Sequence, residues 1–115
     1  MTGDAKPADY AAFPTSAHCE YFQATVELIG KKWTAAILRT LFAGCSRFGE
    51  MVDAVPGLSN RLLSERLTEL QSAGLVVASN ETRPTYSLTE KGRALRGPLS
   101  EIDVWNRTWM SGEQP

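Results

Sequence analysis

One side of the segment SNRLLSERLTELQSAGL, residues 59–75, carries hydrogen-bonding side chains: Asn60, Arg61, Ser64, Glu65 and Thr68. The leucines of this segment recur at helical spacing, so a helix would bury the leucines and turn the polar groups outward. A guanidinium group can donate two parallel hydrogen bonds to guanine, and an asparagine amide can pair with adenine in a similar way. The chemistry that this surface offers is therefore hydrogen bonding to the edge of a planar polar partner.

Catalytic and metal chemistry have little support in the sequence. There is one histidine, His18, no glycine-rich phosphate loop and no pair of acids in a recognisable turn, so we expect no enzyme and no cofactor. The cysteines Cys19 and Cys45 are too few for a disulfide framework. With His18 they give at most three soft or imidazole ligands per chain, and we expect no metal site.

The charge is distributed unevenly along the chain. The net charge is −1, but residues 31–96 hold ten basic and six acidic side chains, a net of +4, and the flanks are acidic. A locally basic middle fits a confined site for a polyanion, although an ordinary solvated surface would also explain it. No stretch approaches the roughly 20 apolar residues of a membrane span and no signal peptide is visible, so we expect a cytoplasmic protein without a membrane partner.

The apolar pattern indicates how the polar surface is positioned. Residues 1–18 are small and punctuated by prolines, which predicts a flexible tail and leaves 19–115 as one domain. Three short helices are predicted from Tyr21 to Gly30, over 32–42 and over 46–55. Ser59 is a natural N-cap for a fourth helix, and Gly74 lies where the chain must leave it.

The remainder of the chain predicts a hairpin followed by a last helix. The runs LVVAS and TYSL, joined by NETRP, read as two short strands, and Thr89 caps the last helix, which Pro98 should kink or delay. This element order describes a mainly α fold with a small β-hairpin, the winged helix-turn-helix. In that arrangement the N-terminal half of the fourth helix enters the major groove of DNA.

Several segments resemble the HxlR-type winged-helix transcriptional regulators of bacteria and archaea, which are relatives of the MarR-like regulators. They are ELIGKKWTAAILRTL, SRFGEMVDAVPGLSNRLLSERLTELQSAGLV and YSLTEKGRAL, followed by a tryptophan-bearing helix. The resemblance implies a homodimer that binds double-stranded DNA at a pseudo-palindromic operator. Such regulators are usually repressors and often respond to a small molecule, an oxidant or an electrophile.

The resemblance also places individual residues on the DNA. Arg61 would contact a base or a phosphate, while Arg66 would contact DNA or form a structural ion pair. Lys31 and Lys32 would meet phosphate or remain solvated. Arg47, at the start of the third helix, would face the backbone, and Arg83, on a wing shorter than is usual in the family, would reach the minor groove. The recognition-helix set is Ser59, Asn60, Arg61, Ser64 and Glu65.

The same resemblance implies a dimer interface and a sensor. The expected interface residues lie on the first and last helices: Phe22, Val26, Leu99, Ile102, Trp105 and Trp109. Cys19 lies one position from the family's N-terminal cysteine and is a candidate thiol sensor, since a thiolate near a helix start reacts faster. An inert thiol is the alternative, and we expect Cys45 to be structural. The aromatic residues would form core or interface, or else line a ligand pocket.

The sequence therefore predicts a dimeric transcriptional regulator that recognises specific DNA. A winged-helix module that binds only protein is the alternative, because fold alone does not fix function. Such a module would be expected to carry apolar anchors around Arg61, where this chain carries polar side chains.

Overall fold

The computed structural model describes residues 17–110, with side chains from Glu20 onward. The chain divides between Lys32 and Trp33 into two compact units, which are described separately. The first unit contains helix α1 (Ala17–Ile29). The second contains the remaining elements in the order α2 (Thr34–Phe42), α3 (Phe48–Ala54), α4 (Asn60–Ser72), β1 (Val76–Ala78), β2 (Tyr86–Leu88), α5 (Glu90–Arg93) and α6 (Arg96–Trp109).

Helix α1 begins before the apolar period does. It starts at Ala17, within the stretch 1–18 that was expected to be a tail, and residues 1–16 lie outside the described part of the chain. The predicted stop is confirmed, because the helix ends at Ile29 and the amide of Gly30 donates to the Val26 carbonyl at 2.8 Å.

The core of the second unit is built by α2, α3 and α4. The leucine stripe of α4 is buried as predicted, with Leu63, Leu67 and Leu70 at 0–1 % exposure. The side chains that complete this core come from the other helices, their connections and β1: Ile37, Leu38, Leu41, Met51, Val55, Leu58, Leu75 and Val76. None of these short helices buries enough apolar surface alone, so the shared core holds them together.

Further helix boundaries differ from the sequence prediction, and α3 begins at Phe48 rather than at 46. Trp33 lies before α2 rather than within it, with a φ of 82°. The last helix is divided: Thr89 caps α5, its Oγ accepting the Gly92 amide at 3.0 Å, and α6 begins only at Arg96. Pro98 therefore falls in the first turn of α6, where its missing N–H breaks no helical bond.

The predicted hairpin is confirmed. Strands β1 and β2 are antiparallel, and Val77 pairs with Ser87 at the centre. The hairpin also joins the start of α3, because Arg47 forms a bridge with Thr85 and the Tyr86 amide donates to the Ser46 carbonyl at 2.8 Å. The result is a mainly helical winged helix-turn-helix fold. Within residues 17–110, no helix is long and apolar enough to cross a membrane.

Candidate nucleic-acid interface

The start of α4 is an exposed polar surface on a buried support. Ser59 is the N-cap, and its hydroxyl accepts the Leu62 amide at 3.1 Å, which fixes the first turn. The leucine stripe anchors the opposite side in the core. The five residues expected on the recognition helix are all exposed and lie within two turns: Ser59, Asn60, Arg61, Ser64 and Glu65.

Arg61 extends into solvent from the first turn of α4. Its side chain is 87 % exposed, and its Nε lies 3.3 Å from Oε2 of Glu65, one turn later. This ion pair engages the Nε edge of the guanidinium and leaves the two terminal nitrogens, which form the fork that a guanine edge accepts. Arg61 and Glu65 therefore act as one unit on this surface.

Arg66 lies on the same helix as Arg61, five positions later, but has a different environment. Its side chain is only 14 % exposed and lies 3.3 Å from Glu69 and 3.9 Å from Glu65. A half-buried guanidinium beside two carboxylates is held as a structural ion pair. Of the two alternatives for Arg66, the structure supports the ion pair.

Arg47 and Arg83 are brought together by the wing, which the sequence did not predict. The Nη1 of Arg47 donates to the carbonyl oxygen of Arg83 at 2.8 Å, across 36 positions of sequence. The Glu50 carboxylate accepts the amides of Ser46 at 2.9 Å and Arg47 at 3.0 Å. These two backbone donors, Ser46 first, hold the pKa of Glu50 below its ordinary value, because they favour the charged carboxylate.

Lys31 and Lys32 belong to the first compact unit. Both are exposed and follow the end of α1. Their predicted phosphate contact stays a prediction.

Apolar side chains are exposed on both helices expected to dimerise. On α1, Phe22 is 53 % and Val26 43 % exposed. On α6, which has no buried residue, Ile102, Trp105 and Trp109 are each more than half exposed, and Leu99 is half-buried. These aromatic residues are not part of the core.

Helix α6 is connected to α2 by an ion pair. The guanidinium of Arg39 contacts the Asp103 carboxylate over 64 positions of sequence.

Trp33 is half-buried, and its ring edge would lie 3.2 Å from a Cβ atom placed at Gly57. The aromatic residues considered as pocket lining are thus dispersed between surface and core.

The two cysteines have separate positions. Cys19 lies in the first turn of α1, where its side chain is outside the described residues. Cys45 is a half-buried free thiol in the turn between α2 and α3 and borders an apolar cavity of about 420 Å³. Among the residues whose side chains are described, no group of three His, Cys, Asp or Glu side chains could hold a metal ion.

The family of this chain follows from comparison with known proteins. The model of the HxlR-like helix-turn-helix family matches residues 28–114, which includes α2 to α6 and the wing. The chain belongs to the HxlR-like family. The predicted resemblance is confirmed, and so is the expectation that the protein is not an enzyme, since its relatives are named as transcriptional regulators.

This HxlR-like chain is similar to three known regulators. An uncharacterized regulator of Bacillus subtilis, YvaP, is 42 % identical over 96 residues, 80 % of this chain and 89 % of YvaP. The crystal structure of quinone-bound YodB from B. subtilis matches with a TM-score of 0.73 and 33 % identity, covering 79 % of this chain and all of that one. A MarR-family regulator from Enterococcus faecalis matches with a TM-score of 0.72 and 31 % identity, covering 88 % and 96 %.

These similarities show the general class of function. The chain is a transcriptional regulator of the HxlR and MarR type, with a DNA-binding helix-turn-helix.

Proposed function

We propose that this protein is a cytoplasmic homodimeric repressor that binds a pseudo-palindromic operator and leaves it in response to a thiol-reactive or small-molecule signal. Helix α4 would enter the major groove, with Ser59, Asn60, Arg61, Ser64 and Glu65 facing the bases. Arg47 and Lys32 would contact the flanking backbone.

The observation that carries this proposal is the pairing of Arg61 with Glu65 on the exposed side of α4. The leucine stripe fixes the helix from behind, so the guanidinium projects from a rigid support. A rigid, forward-pointing arginine is suited to reading a guanine, because bidentate hydrogen bonds require a defined approach. A protein-binding module would be expected to carry apolar anchors at the start of this helix, where Asn60 and Arg61 are polar and exposed.

A second copy of the chain is the partner that we propose for α6. Ile102, Trp105 and Trp109 follow one another at helical spacing and are 51 %, 55 % and 69 % exposed. Contiguous apolar side chains on a surface helix mark an interaction site. A dimer would present two copies of α4 to two half-sites, and the half-site spacing would then follow from the two-fold symmetry.

The signal that we propose is an electrophile that reacts with Cys19. The similar regulator YodB has been crystallised with a quinone bound. Cys19 lies in the first turn of the 13-residue helix α1, where the helix dipole favours a thiolate. Cys45 would serve as the comparison residue, because it lies half-buried in a turn.

The experiment that tests operator recognition is a fluorescence-anisotropy titration on duplex DNA from upstream of the protein's own gene and on a scrambled duplex. We expect a specificity ratio of about a thousand or more. Arg61→Ala should lose roughly 1–3 kcal/mol on the operator and much less on scrambled DNA. Arg96→Ala, which removes an exposed arginine at the start of α6, is the matched control.

The outcomes separate the roles of Arg61 and of the thiols. Equal losses for Arg61→Ala on both duplexes would assign a phosphate contact and reject base reading. Weak and equal binding of the wild type to both duplexes, followed by failure of a genome-wide DNA selection, would reject operator recognition. Benzoquinone should release the wild type and the Cys45→Ser variant from the operator but not the Cys19→Ser variant.

A further inference from the structure

Between the start of α3 and the tip of the wing lies a small cavity of about 270 Å³. Two of the residues that line it are arginines, Arg47 and Arg83. No acidic residue lines it within the part of the chain that the structure describes. The Glu50 carboxylate, which accepts the Ser46 and Arg47 amides, lies beside Arg47 but does not line the cavity. The two arginines and this acid leave one net positive charge, and the lining itself is suited to an anion.

We propose that Arg47 and Arg83 together bind one phosphate of the DNA backbone, so that the wing contacts phosphate and not the minor groove. This inference rests on the proposed function, because it assumes that α4 is in the major groove beside the wing. It replaces two separate contacts, one for each arginine, with a single shared anion site.

The backbone around the cavity positions the Arg47 guanidinium and the main chain of Arg83 before any ligand arrives, while the Arg83 side chain is exposed. The Nη1 of Arg47 donates to the Arg83 carbonyl at 2.8 Å, and Arg47 also forms a β-bridge with Thr85. The Ser79 amide donates to the Thr85 carbonyl at 2.8 Å, and the Ser79 hydroxyl accepts the Thr85 amide at 2.9 Å. The loop between the strands is therefore tied at its base, and Pro84 stiffens its exit.

The donors that remain are sufficient for a phosphate. Arg47 uses one N–H for the Arg83 carbonyl, and a guanidinium has five. The Arg83 side chain is exposed, and no acid among the described residues pairs with it. Phosphate oxygens accept forked guanidinium hydrogen bonds, which is the contact that arginine makes best.

The short reach of the wing supports phosphate over the minor groove. Each strand has only three residues, and the connection between them spans only residues 79–85. Arg47 holds the carbonyl of Arg83, so the main chain of Arg83 is kept near the start of α3, and its side chain extends from there and not from the end of a long wing.

The test is a double-mutant cycle on operator DNA with Arg47→Ala, Arg83→Ala and the double variant, measured by anisotropy at several salt concentrations. Each single variant should bind roughly tenfold more weakly on operator and scrambled duplex alike. The slope of log affinity against log salt should become shallower by about 0.9, the value for one phosphate. The double variant should lose no more than about twofold beyond either single variant, whereas two independent contacts would lose roughly tenfold beyond either one, or about a hundredfold relative to the wild type.

A second measurement locates the contact. Single phosphates of the operator are replaced in turn by uncharged methylphosphonates. At one position the replacement should weaken binding of the wild type but should not further weaken binding of either single variant. Arg96→Ala serves as the charge control, and circular dichroism checks that Arg47→Ala keeps the fold. Arg83→Ala lies in an exposed loop and carries the test alone if Arg47→Ala unfolds.

Each outcome has a distinct meaning. A shared phosphate with strongly non-additive losses supports the inference. Additive losses at two different phosphates, or a changed preference for A·T over G·C pairs beside the half-site in Arg83→Ala, would overturn it while leaving operator recognition intact. If the wild type binds no duplex specifically, the proposed function fails, and this inference fails with it.

Discussion

Gly92 is a buried glycine whose replacement by alanine should destabilise the protein. It lies in α5, where alanine should be better than glycine by about 1 kcal/mol because alanine loses less backbone entropy. In the structure, however, a Cβ added at Gly92 would lie 2.1 Å from the Leu75 carbonyl oxygen and 3.1 Å from a methyl of Leu88. Gly92→Ala therefore forces α5 away from Leu75, which precedes β1, and from Leu88 of β2.

The expected loss of stability follows from the groups that must move to make room for the new methyl group. The nearest obstacle is backbone, and the Leu75 carbonyl also accepts the Thr89 amide at 3.0 Å, so it cannot yield without weakening that bond. Overpacking of this kind costs up to about 3 kcal/mol, and a weakened hydrogen bond costs about 1 kcal/mol more. After subtracting about 1 kcal/mol for helix propensity, we expect a net loss of roughly 3 kcal/mol.

The assay is urea unfolding, monitored by circular dichroism, of the Gly92→Ala and Gly97→Ala variants at the same protein concentration. Gly97 lies in α6, and a Cβ there would meet nothing within 4 Å, so this variant should be neutral or more stable by up to about 1 kcal/mol. The thermal midpoint of Gly92→Ala should fall by about 10 °C or more. Equal stability of the two variants would refute the reasoning, because it would mean that the close approach of α5 to the Leu75 carbonyl does not exist.

Three further predictions follow from other contacts. Ser59→Ala should lower the free energy of unfolding by about 1 kcal/mol, since the Leu62 amide loses its cap, and urea unfolding beside Ser64→Ala measures this. Glu50→Gln should make the free energy of unfolding depend less steeply on pH in the acid range. The pKa of Glu50 in the folded protein lies below its ordinary value of 4.5, so the charged carboxylate stabilises the fold above pH 4.5, and this stabilisation is lost as the pH falls through the folded-state pKa. An unchanged dependence of stability on acid pH would contradict this. The double change of Ile102→Glu and Trp109→Glu should give monomers in sedimentation that no longer bind operator, and a persisting dimer would reject α6 as the interface.

Local sequence was sufficient for most of the elements. The leucine period predicted α4 and its buried side, Ser59 predicted where that helix begins, and the β-branched runs predicted the hairpin. These features depend on neighbours within four residues, or on the alternation within one strand, so their physical causes are present in the sequence itself. The boundaries failed where distant residues decide them, as at Trp33 and at the division between α5 and α6.

The candidate site divides along the same line. Residue types alone predicted the polar surface around Arg61, because exposure on a helix follows from its period. Only the tertiary structure separated Arg66, held by Glu69, from Arg61, and only it brought Arg47 to the carbonyl of Arg83. That contact joins residues 36 positions apart, and its formation depends on the pairing of the wing with the start of α3. A pattern read along the chain has no information on such a pairing, since the shared core and the strand register together determine which distant side chains meet.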